Sequence, residues 1–288
     1  MLFVPRARGH RTLGMALVAE RFRPQISESH PRRAPAGARA AVERLRAAGP
    51  TTLGLLELIP LLDAYEIPVL KPQLVTSVEE AAVIAAQLNC PVALKIASTD
   101  ISHKTDVGGV SLGVASPTEV ARIARDMLTR VRQHRPDATI QGFTIQPMAP
   151  AGKELLLGTL QDAQFGPLVI VGFGGIYVEV LRDTTARLAP LSAAEAARML
   201  DELRMAPLLR GVRGEPAVDQ AALATTIARF SQLAADCPEL VELELNPLVA
   251  HATGVVTVDA RARLGSPSPR NGSSGMPSGN APAQRILR

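Results

Sequence analysis

The sequence has no tryptophan, two tyrosines and two cysteines among its 288 residues. So few aromatic rings argue against a protein that binds nucleic acid by stacking bases on its side chains. Cys90 and Cys237 are far apart, predict neither a metal site nor a disulfide framework, and suit a reducing cytoplasm. No apolar run is long enough to span a bilayer, so we expect no membrane partner.

The net charge of +4 is unevenly distributed. Residues 65–264 carry 18 Lys and Arg against 22 Asp and Glu, whereas the remaining residues carry 13 basic and 5 acidic ones. A nucleic-acid footprint would need a basic face on the folded part of the chain. Because that part is slightly acidic, we expect no nucleic-acid partner.

Composition and periodicity divide the chain into five segments. Residues 1–38, rich in Arg and Pro, predict a disordered arm, with a transit peptide as the alternative. Residues 39–64 predict a helical lead-in with short helices at 39–48 and 53–65. We expect two folded lobes at 65–145 and 146–264. The Gly-, Ser- and Pro-rich segment 265–288 predicts a disordered tail.

Residues that cap helices recur through the folded part. Ser77, Ser116 and Ser192 are each followed three residues later by Glu, which is the capping-box pattern that opens a helix. Asp219 precedes another helical stretch. Short apolar segments between these helices predict strands, so the chain combines helices and sheets.

A lysine lies inside an apolar run that reads as a buried strand. Burying Lys95 between Leu94 and Ile96 is costly unless an anion compensates its charge. Gly108 and Gly109, before the next strand, would let backbone N–H groups approach a ligand. Together they predict a phosphate site. The alternative is an edge strand whose lysine reaches water, with a hairpin that needs glycine.

The last folded unit predicts a β-hairpin in which a four-residue turn pairs Ala250 with Val255. This register places Asn246 opposite Asp259, with Glu244 two residues away on the same face. Oxygen ligands on adjacent strands suit Mg²⁺, and the alternative is a solvated polar face. Alternation also predicts that Val249, Val256 and Val258 share the apolar face with Leu243.

Two glycine-containing connections complete the pattern. The Pro- and Gly-rich connector Gln146–Gly152 predicts a hinge between the lobes. A second glycine loop, around Gly174 and Gly175, interrupts the apolar run 168–180.

These motifs, in this order, resemble the ATP-grasp domain of ADP-forming acyl-CoA synthetases (acetate–CoA ligases), also found fused in GNAT-type protein acetyltransferases. The resemblance covers about residues 62–264. It is carried by Val92-Ala-Leu-Lys-Ile, Asp100-Ile-Ser-His-Lys-Thr-Asp-Val-Gly-Gly-Val, Gln146-Pro-Met, Lys153-Glu-Leu, Phe165-Gly-Pro, Gly172-Phe-Gly-Gly-Ile-Tyr-Val-Glu-Val, Arg187-Leu-Ala-Pro-Leu, Leu208-Leu-Arg-Gly-Val-Arg-Gly, Glu244-Leu-Asn-Pro-Leu and Asp259-Ala-Arg. It implies an α/β (α+β) ATP-grasp fold of two lobes, with mixed or antiparallel sheets flanked by helices.

The resemblance also implies a nucleotide site for ATP or ADP with Mg²⁺. The implied nucleotide-binding residues are Lys95, Lys104, Gly108, Gly109, Gln146, Met148, Glu154, Gly174 and Gly175. The implied metal ligands are Asn246, Asp259 and Glu244. His103 would transiently accept the phosphoryl group, although from the residues alone it reads as a surface loop histidine. Arg187 would neutralise phosphate charge.

The implied reaction is reversible: acyl-CoA, ADP and phosphate give acid, CoA and ATP. A phosphohistidine on a CoA-binding partner would carry the phosphoryl group between sites. We recognise no CoA-binding Rossmann segment and no GNAT domain, so we expect a CoA-binding, alpha-type partner subunit. Glu66 stands where the family usually has glycine, which puts only a turn in doubt.

Two other functions fit the same residues. A regulatory module would bind ATP or ADP and control an acetyltransferase without turnover. A scaffold would have a dead nucleotide site. Mutation of His103 should matter only to the enzyme, and absence of nucleotide binding would favour the scaffold.

Overall fold

The computed structural model describes residues 34–47, 49, 52–101, 104–162, 165–174 and 183–265. The helices are α1 (Ala36–Ala47), α2 (Leu55–Ala64), α3 (Val78–Leu88), α4 (Pro117–His134), α5 (Ala193–Asp201), α6 (Ala206–Leu209) and α7 (Gln220–Asp236). The strands are β1 (Thr52–Leu53), β2 (Gln73–Val75), β3 (Val92–Ala97), β4 (Val110–Val114), β5 (Gly142–Pro147), β6 (Lys153–Asp162), β7 (Gly166–Phe173), β8 (Thr184–Leu188), β9 (Leu240–His251), β10 (Gly254–Thr257) and β11 (Ala260–Leu264). None of these helices is long and apolar enough to cross a membrane.

The strands form two antiparallel sheets. The large sheet has the order β1-β11-β9-β6-β7-β8, with β10 also paired to β9, and the small sheet has the order β2-β5-β3-β4. Among the described strands, β1 lies in the large sheet and β2–β5 form the small sheet, and the chain then returns to the large sheet through the connector at 148–152. This confirms the expected α/β fold with antiparallel sheets and flanking helices.

Side-chain caps open the helices where the sequence predicts. The hydroxyls of Ser77, Ser116 and Ser192 each accept a hydrogen bond from the backbone N–H three residues later, at 3.1–3.2 Å. The carboxylate of Asp219 does the same at 2.9 Å. Each cap satisfies an N–H group that the helix itself leaves unpaired.

The N-terminal boundaries differ from the prediction. Helix α1 begins at Ala36, inside the predicted arm, and the arm up to residue 33 lies outside the described residues, as does the tail after residue 265. The predicted helix 53–65 instead covers Leu53, the last residue of strand β1, and then α2. Thr52 pairs with Arg263 on β11, a contact with a distant segment that local periodicity does not reveal.

Each sheet buries one face under helices. The large core joins both lead-in helices, α5 and α7 to the large sheet, through residues such as Leu58, Met199, Phe230 and Leu157. The small core joins α3 and α4 to the small sheet. The lead-in therefore belongs to the layer that supports the large sheet.

Strand β9 contains a β-bulge at Asn246 and Pro247. On β6, Leu157 pairs with Leu245 and Leu155 pairs with Leu248, so three steps along β9 meet two along β6. Both Leu245 and Leu248 consequently face the large core, although they are three residues apart. An extra residue of this kind shifts the alternation of every side chain beyond it.

The predicted apolar face of the hairpin is therefore wrong beyond the bulge. The large core contains none of Val249, Val256 and Val258, and it contains Ala250 and Val255 instead. The pairing itself is as predicted, because Ala250 is opposite Val255.

The turn before Ile67 carries Glu66 in the left-handed region, at φ 52°. Arg229 on α7 holds this residue, since its guanidinium donates to the Glu66 carbonyl oxygen at 2.8 Å and pairs with the Glu66 carboxylate. Glycine adopts this conformation without steric cost. The expected irregularity at Glu66 is thus a strained turn that an ion pair stabilises.

The residues Thr257, Val258 and Asp259, here called the bridging strip, join the two sheets. The Thr257 N–H donates to the Pro68 carbonyl oxygen at 2.8 Å, and the Leu70 N–H donates to the Thr257 carbonyl oxygen at 2.9 Å. The segment that leads into the small sheet is thereby fixed along β10.

Candidate functional site

Lys95 lies on β3, a central strand between β5 and β4. Its neighbours Leu94 and Ile96 point into the small core, so alternation turns Lys95 to the opposite face. Lys95 is 9 % exposed, and its Nζ lies 3.4 Å from Oδ2 of Asp259 on the bridging strip. The alternative of an edge-strand lysine that reaches water is therefore wrong.

Gln146 shares that face of the small sheet, because it pairs with Ala93 on β3. It is 2 % exposed, and its Nε2 donates to the Val258 carbonyl oxygen at 3.3 Å. Gln146 and Lys95 thus hold the small sheet against two successive residues of the bridging strip.

The predicted metal ligands lie next to this contact: Glu244 and Asn246 are on β9, and Asp259 is in the bridging strip. The Asn246 N–H donates to the Asp259 carbonyl oxygen at 3.0 Å, which confirms the predicted register. The Asn246 side-chain amide donates to Glu244 Oε1 at 2.8 Å. Asn246 thus contacts Glu244 through its side chain and Asp259 through its backbone, at the junction of β9 and the bridging strip.

The donor chemistry of this group fits Mg²⁺. The described residues contain no cluster of three or more His, Cys, Asp and Glu side chains that could hold a metal by themselves. The Asp259 side chain is 42 % exposed, so its carboxylate is accessible from solvent. Two carboxylates, one amide oxygen and nearby solvent match the preference of Mg²⁺ for a few protein oxygens plus water and phosphate.

Lys104 adds a second amino group to the site. Burial lowers the pKa of Lys104, and the nearby cations Lys95 and Arg261 lower it further, whereas Asp259 and Glu57 oppose the shift. Since burial disfavours a charged amine, the site favours an anionic ligand that would restore the charge.

The glycine pair closes a turn. Gly108 has φ +66°, and its N–H donates to Thr105 O at 3.0 Å, while the Gly109 N–H donates to Lys104 O at 2.7 Å. A Cβ at Gly109 would lie 2.7 Å from an Ile96 methyl group. Both N–H groups are satisfied within the turn, so the expectation that they point at a ligand is wrong; the glycines instead position Lys104.

Three further predicted nucleotide-binding residues, Glu154, Gly174 and Met148, lie in or near the connector and the start of β6. Glu154 is exposed, and its carbonyl oxygen accepts the Gly174 N–H at 2.7 Å. A Cβ at Gly174 would lie 3.2 Å from the Glu154 backbone, so glycine permits this close approach. Met148 is 39 % exposed, and its N–H donates to Pro91 O at 3.0 Å.

Arg187 is not brought to this site. It pairs with Val169, which faces the large core, and its guanidinium pairs with Glu202 at the end of α5. Alternation therefore places Arg187 on the helix side of the large sheet, away from the face that carries Glu244. The described structure thus does not place Arg187 with Lys95 and Asp259, and its role at the phosphates stays a prediction.

His103 and Gly175 lie outside the described residues, so the phosphoryl-accepting and second glycine-loop assignments stay predictions. The sequence did not single out Arg261 or Glu57 for the site. Alternation along β11 already places Arg261 beside Glu244, and that signal could have found it. The position of Glu57 depends on the β1–β11 pairing, for which the sequence has no local signal.

A separate surface cavity lies between α3 and α4. It is lined by Ala85, Ala86, Asn89, Cys90, Pro91, Val114, Ala115, Ser116 and Pro117. Its lining contains no charged side chain, so it offers no group that would offset the charge of a phosphate.

The arrangement at the bridging strip suits a phosphate chain with a divalent cation. Two buried or half-buried lysines come from the small-sheet side, and oxygen ligands come from the large-sheet side. The family model described as "ATP-grasp domain" matches residues 44–264. The chain belongs to the ATP-grasp family.

Among curated relatives of this ATP-grasp chain are two subunits from Pyrococcus furiosus. It is 38 % identical over 204 residues to the beta subunit of ADP-forming acetate–CoA ligase I, covering 71 % of this chain and 88 % of that protein. It is 36 % identical over 226 residues to the beta subunit of ligase II, covering 77 % of this chain and 96 % of that protein.

A longer relative is ADP-forming acetate–CoA ligase I of Archaeoglobus fulgidus, 40 % identical over 224 residues. That match covers 78 % of this chain but only 32 % of the relative. The ATP-grasp chain therefore spans about a third of the single-chain ligase and nearly all of the separate beta subunits.

Solved structures agree with this placement. Acetyl-coenzyme A synthetase 1 of Ca. Korarchaeum cryptofilum, in complex with coenzyme A, Ca-AMPCP and HgCl⁺, is 37 % identical with a TM-score of 0.75. The match covers 79 % of this chain and 99 % of that one. The same enzyme has been solved with coenzyme A and Mg-AMPPCP, with its phosphohistidine segment pointing towards the nucleotide-binding site (TM-score 0.68, 36 % identity, 79 % and 99 % coverage).

Proposed function

We propose that this chain is the nucleotide-binding, phosphoryl-transferring subunit of an ADP-forming acyl-CoA synthetase of the acetate–CoA ligase type. The observation that carries the proposal is the convergence of Lys95, Lys104 and Asp259 at the bridging strip. The names of the beta-subunit relatives support a ligase over a nucleotide-sensing module.

The chain's residues act mainly by holding phosphates and offsetting their charge. Lys95 and Lys104 would contact the phosphate chain of ATP or ADP from the small-sheet side. Asn246, Asp259 and Glu244 would hold Mg²⁺, which when bound would neutralise phosphate oxygens. Glu154 and the connector at Gln146–Met148 would lie at the nucleoside end.

In the direction of ATP synthesis, phosphate would displace CoA from acyl-CoA to give an acyl phosphate. The phosphoryl group of this acyl phosphate would pass to a histidine, which releases the acid, and then from the histidine to ADP, which gives ATP. His103 would accept the phosphoryl group at an unprotonated ring nitrogen and pass it on, which a group that titrates near neutrality can do. A CoA-binding, alpha-type subunit would carry the acyl chemistry. The free cysteines suit a cytoplasmic site of action.

A thermal-shift titration tests nucleotide binding directly. Wild type, Lys95→Ala and the control Lys71→Ala, whose exposed lysine pairs with Asp63, would be titrated with ATP and ADP, with and without Mg²⁺. Ligand at about 100 times its Kd adds roughly 2.7 kcal/mol to the free energy of unfolding, a rise of several degrees in Tm. We expect a Mg²⁺-dependent rise in wild type and control that Lys95→Ala loses. The absence of a rise in Tm for wild type would contradict the proposal.

Phosphoryl transfer separates the enzyme from a sensing module. Incubation with ATP labelled in its terminal phosphate should give an acid-labile phosphoprotein in wild type and none in His103→Ala. A mutant that binds nucleotide but is labelled as well as wild type would remove His103 from the transfer.

A further inference from the structure

Arg261 lies on the ligand side of the large sheet. It pairs with Glu244 across β11 and β9, and residues directly opposite on antiparallel strands point to the same face. Its neighbours Ala260 and Ala262 are buried in the large core on the other face. The Arg261 side chain therefore starts beside Glu244, two residues from Asp259.

Lys104 is within electrostatic range of two cations from other parts of the chain. The Lys104 amine interacts electrostatically with Lys95 and Arg261, as well as with Asp259 and Glu57. Lys95 is also within 3.4 Å of Asp259. Lys95 comes from β3, Lys104 from the loop after it and Arg261 from β11, so no single motif carries the cluster.

The two lysines of this cluster are largely withdrawn from water. Lys95 is buried and Lys104 is half-buried, and positive charge removed from water is costly without an anion nearby. Asp259 and Glu244 also form the proposed cation site, which would draw on their negative charge. A polyphosphate would supply the anionic groups that suit these lysines and the neighbouring Arg261.

We propose that Arg261 is a phosphate-binding residue of the nucleotide site, in the place that the sequence-based prediction gave to Arg187. The inference rests on the proposed nucleotide-binding function. A guanidinium stays charged at all physiological pH values and presents a planar set of N–H donors that matches phosphate oxygens. Arg261 would thus hold the phosphate chain even where Lys104 is partly neutral.

Calorimetric titration with ADP and with adenosine tests the inference. In Arg261→Gln we expect ADP affinity to fall about 10- to 100-fold, the usual effect of losing a charge-assisted hydrogen bond, with adenosine affinity unchanged. Arg261→Lys should recover part of the loss. Arg263→Gln is the matched control, because Arg263 lies on the same strand and face but two residues further from Asp259, where it pairs with Glu242 at 2.7 Å; it should bind like wild type.

The outcomes distinguish a failure of the Arg261 role from a failure of the proposed nucleotide-binding function. Wild type that binds ADP, with Arg261→Gln binding it equally well, would overturn the role of Arg261 and leave the proposed function standing. An equal loss for ADP and adenosine would also overturn it, since that is the pattern of a general structural defect. Wild type that binds neither would overturn the proposed function and this inference with it.

Discussion

The two faces of the large sheet give two arginines opposite roles. Arg187 on β8 points to the helix side and pairs with Glu202, whereas Arg261 on β11 starts beside Glu244 on the ligand side. Both stand in motifs shared with the family, so the motifs alone do not say which one meets phosphate. Strand alternation separates them: Arg187 lies on the face that packs against the helices, and Arg261 lies on the face of the proposed nucleotide site.

The largest effect is expected from a substitution in the helices that cover one face of the large sheet. Phe230 on α7 is fully buried in the large core, so Phe230→Ala should lower the free energy of unfolding by about 3–5 kcal/mol. Urea denaturation measures the loss. Nucleotide affinity of the folded variant should match wild type, and a large loss of affinity would show that the faces are not independent.

The next largest effect is expected from a substitution at the proposed nucleotide site, on the opposite face of the large sheet. Asp259→Ala should weaken Mg²⁺-nucleotide binding by at least about tenfold, or 1.4 kcal/mol, because it removes a proposed metal ligand and the partner of Lys95. Calorimetry with Mg-ADP would measure it. Glu242→Ala is the control on the same pair of strands, and unchanged affinity in Asp259→Ala would remove the metal assignment.

A pH titration sharpens the contrast. The pKa of Lys104 is lowered in the free protein by burial and by Lys95 and Arg261, against the pull of Asp259 and Glu57. A bound polyphosphate favours the charged amine and raises that pKa, so binding should take up protons. Nucleotide affinity should therefore fall as pH rises through the lowered pKa of Lys104, below the range of an ordinary lysine.

Calorimetry in buffers of different ionisation heat would detect this proton uptake. Lys104→Met should abolish the Lys104-dependent part of both the uptake and the pH dependence. A variant that keeps the wild-type proton uptake would assign it to another group.

The smallest expected effect comes from Arg187. Because the Arg187–Glu202 pair is partly exposed, Arg187→Gln should lower the free energy of unfolding by only about 0.5–1 kcal/mol. Nucleotide affinity should stay within experimental error of wild type. A tenfold loss of affinity would place Arg187 at the phosphates after all and reverse the comparison between the faces.

Features that depend on local sequence could be predicted. Serine and aspartate caps gave the starts of four helices, and the hairpin turn gave the pairing of Asn246 with Asp259. Lys95 could be recognised because a lysine between two core residues is unusual. Each of these follows from residues that are close in the chain.

Features that depend on distant pairing could not. The bulge at Asn246 and Pro247 reverses the predicted apolar face, and only the partner strand β6 reveals it. The short strand β1 gains its partner from β11, and this brings Glu57 towards the site. Gly108 and Gly109 could be recognised as turn residues, but their N–H groups are paired inside the turn and do not point at a ligand.

The bridging strip has a mechanical consequence. The small sheet is tied to the large one through Thr257, Val258 and Asp259, and Asp259 also belongs to the proposed nucleotide site. A ligand that contacts both Lys95 and Asp259 would therefore add a further connection between the two sheets. Separating the two sheets of a ligand-bound molecule would then require more force than separating those of a free molecule. The stiffness of the connection between the sheets would thus indicate whether the nucleotide site is occupied.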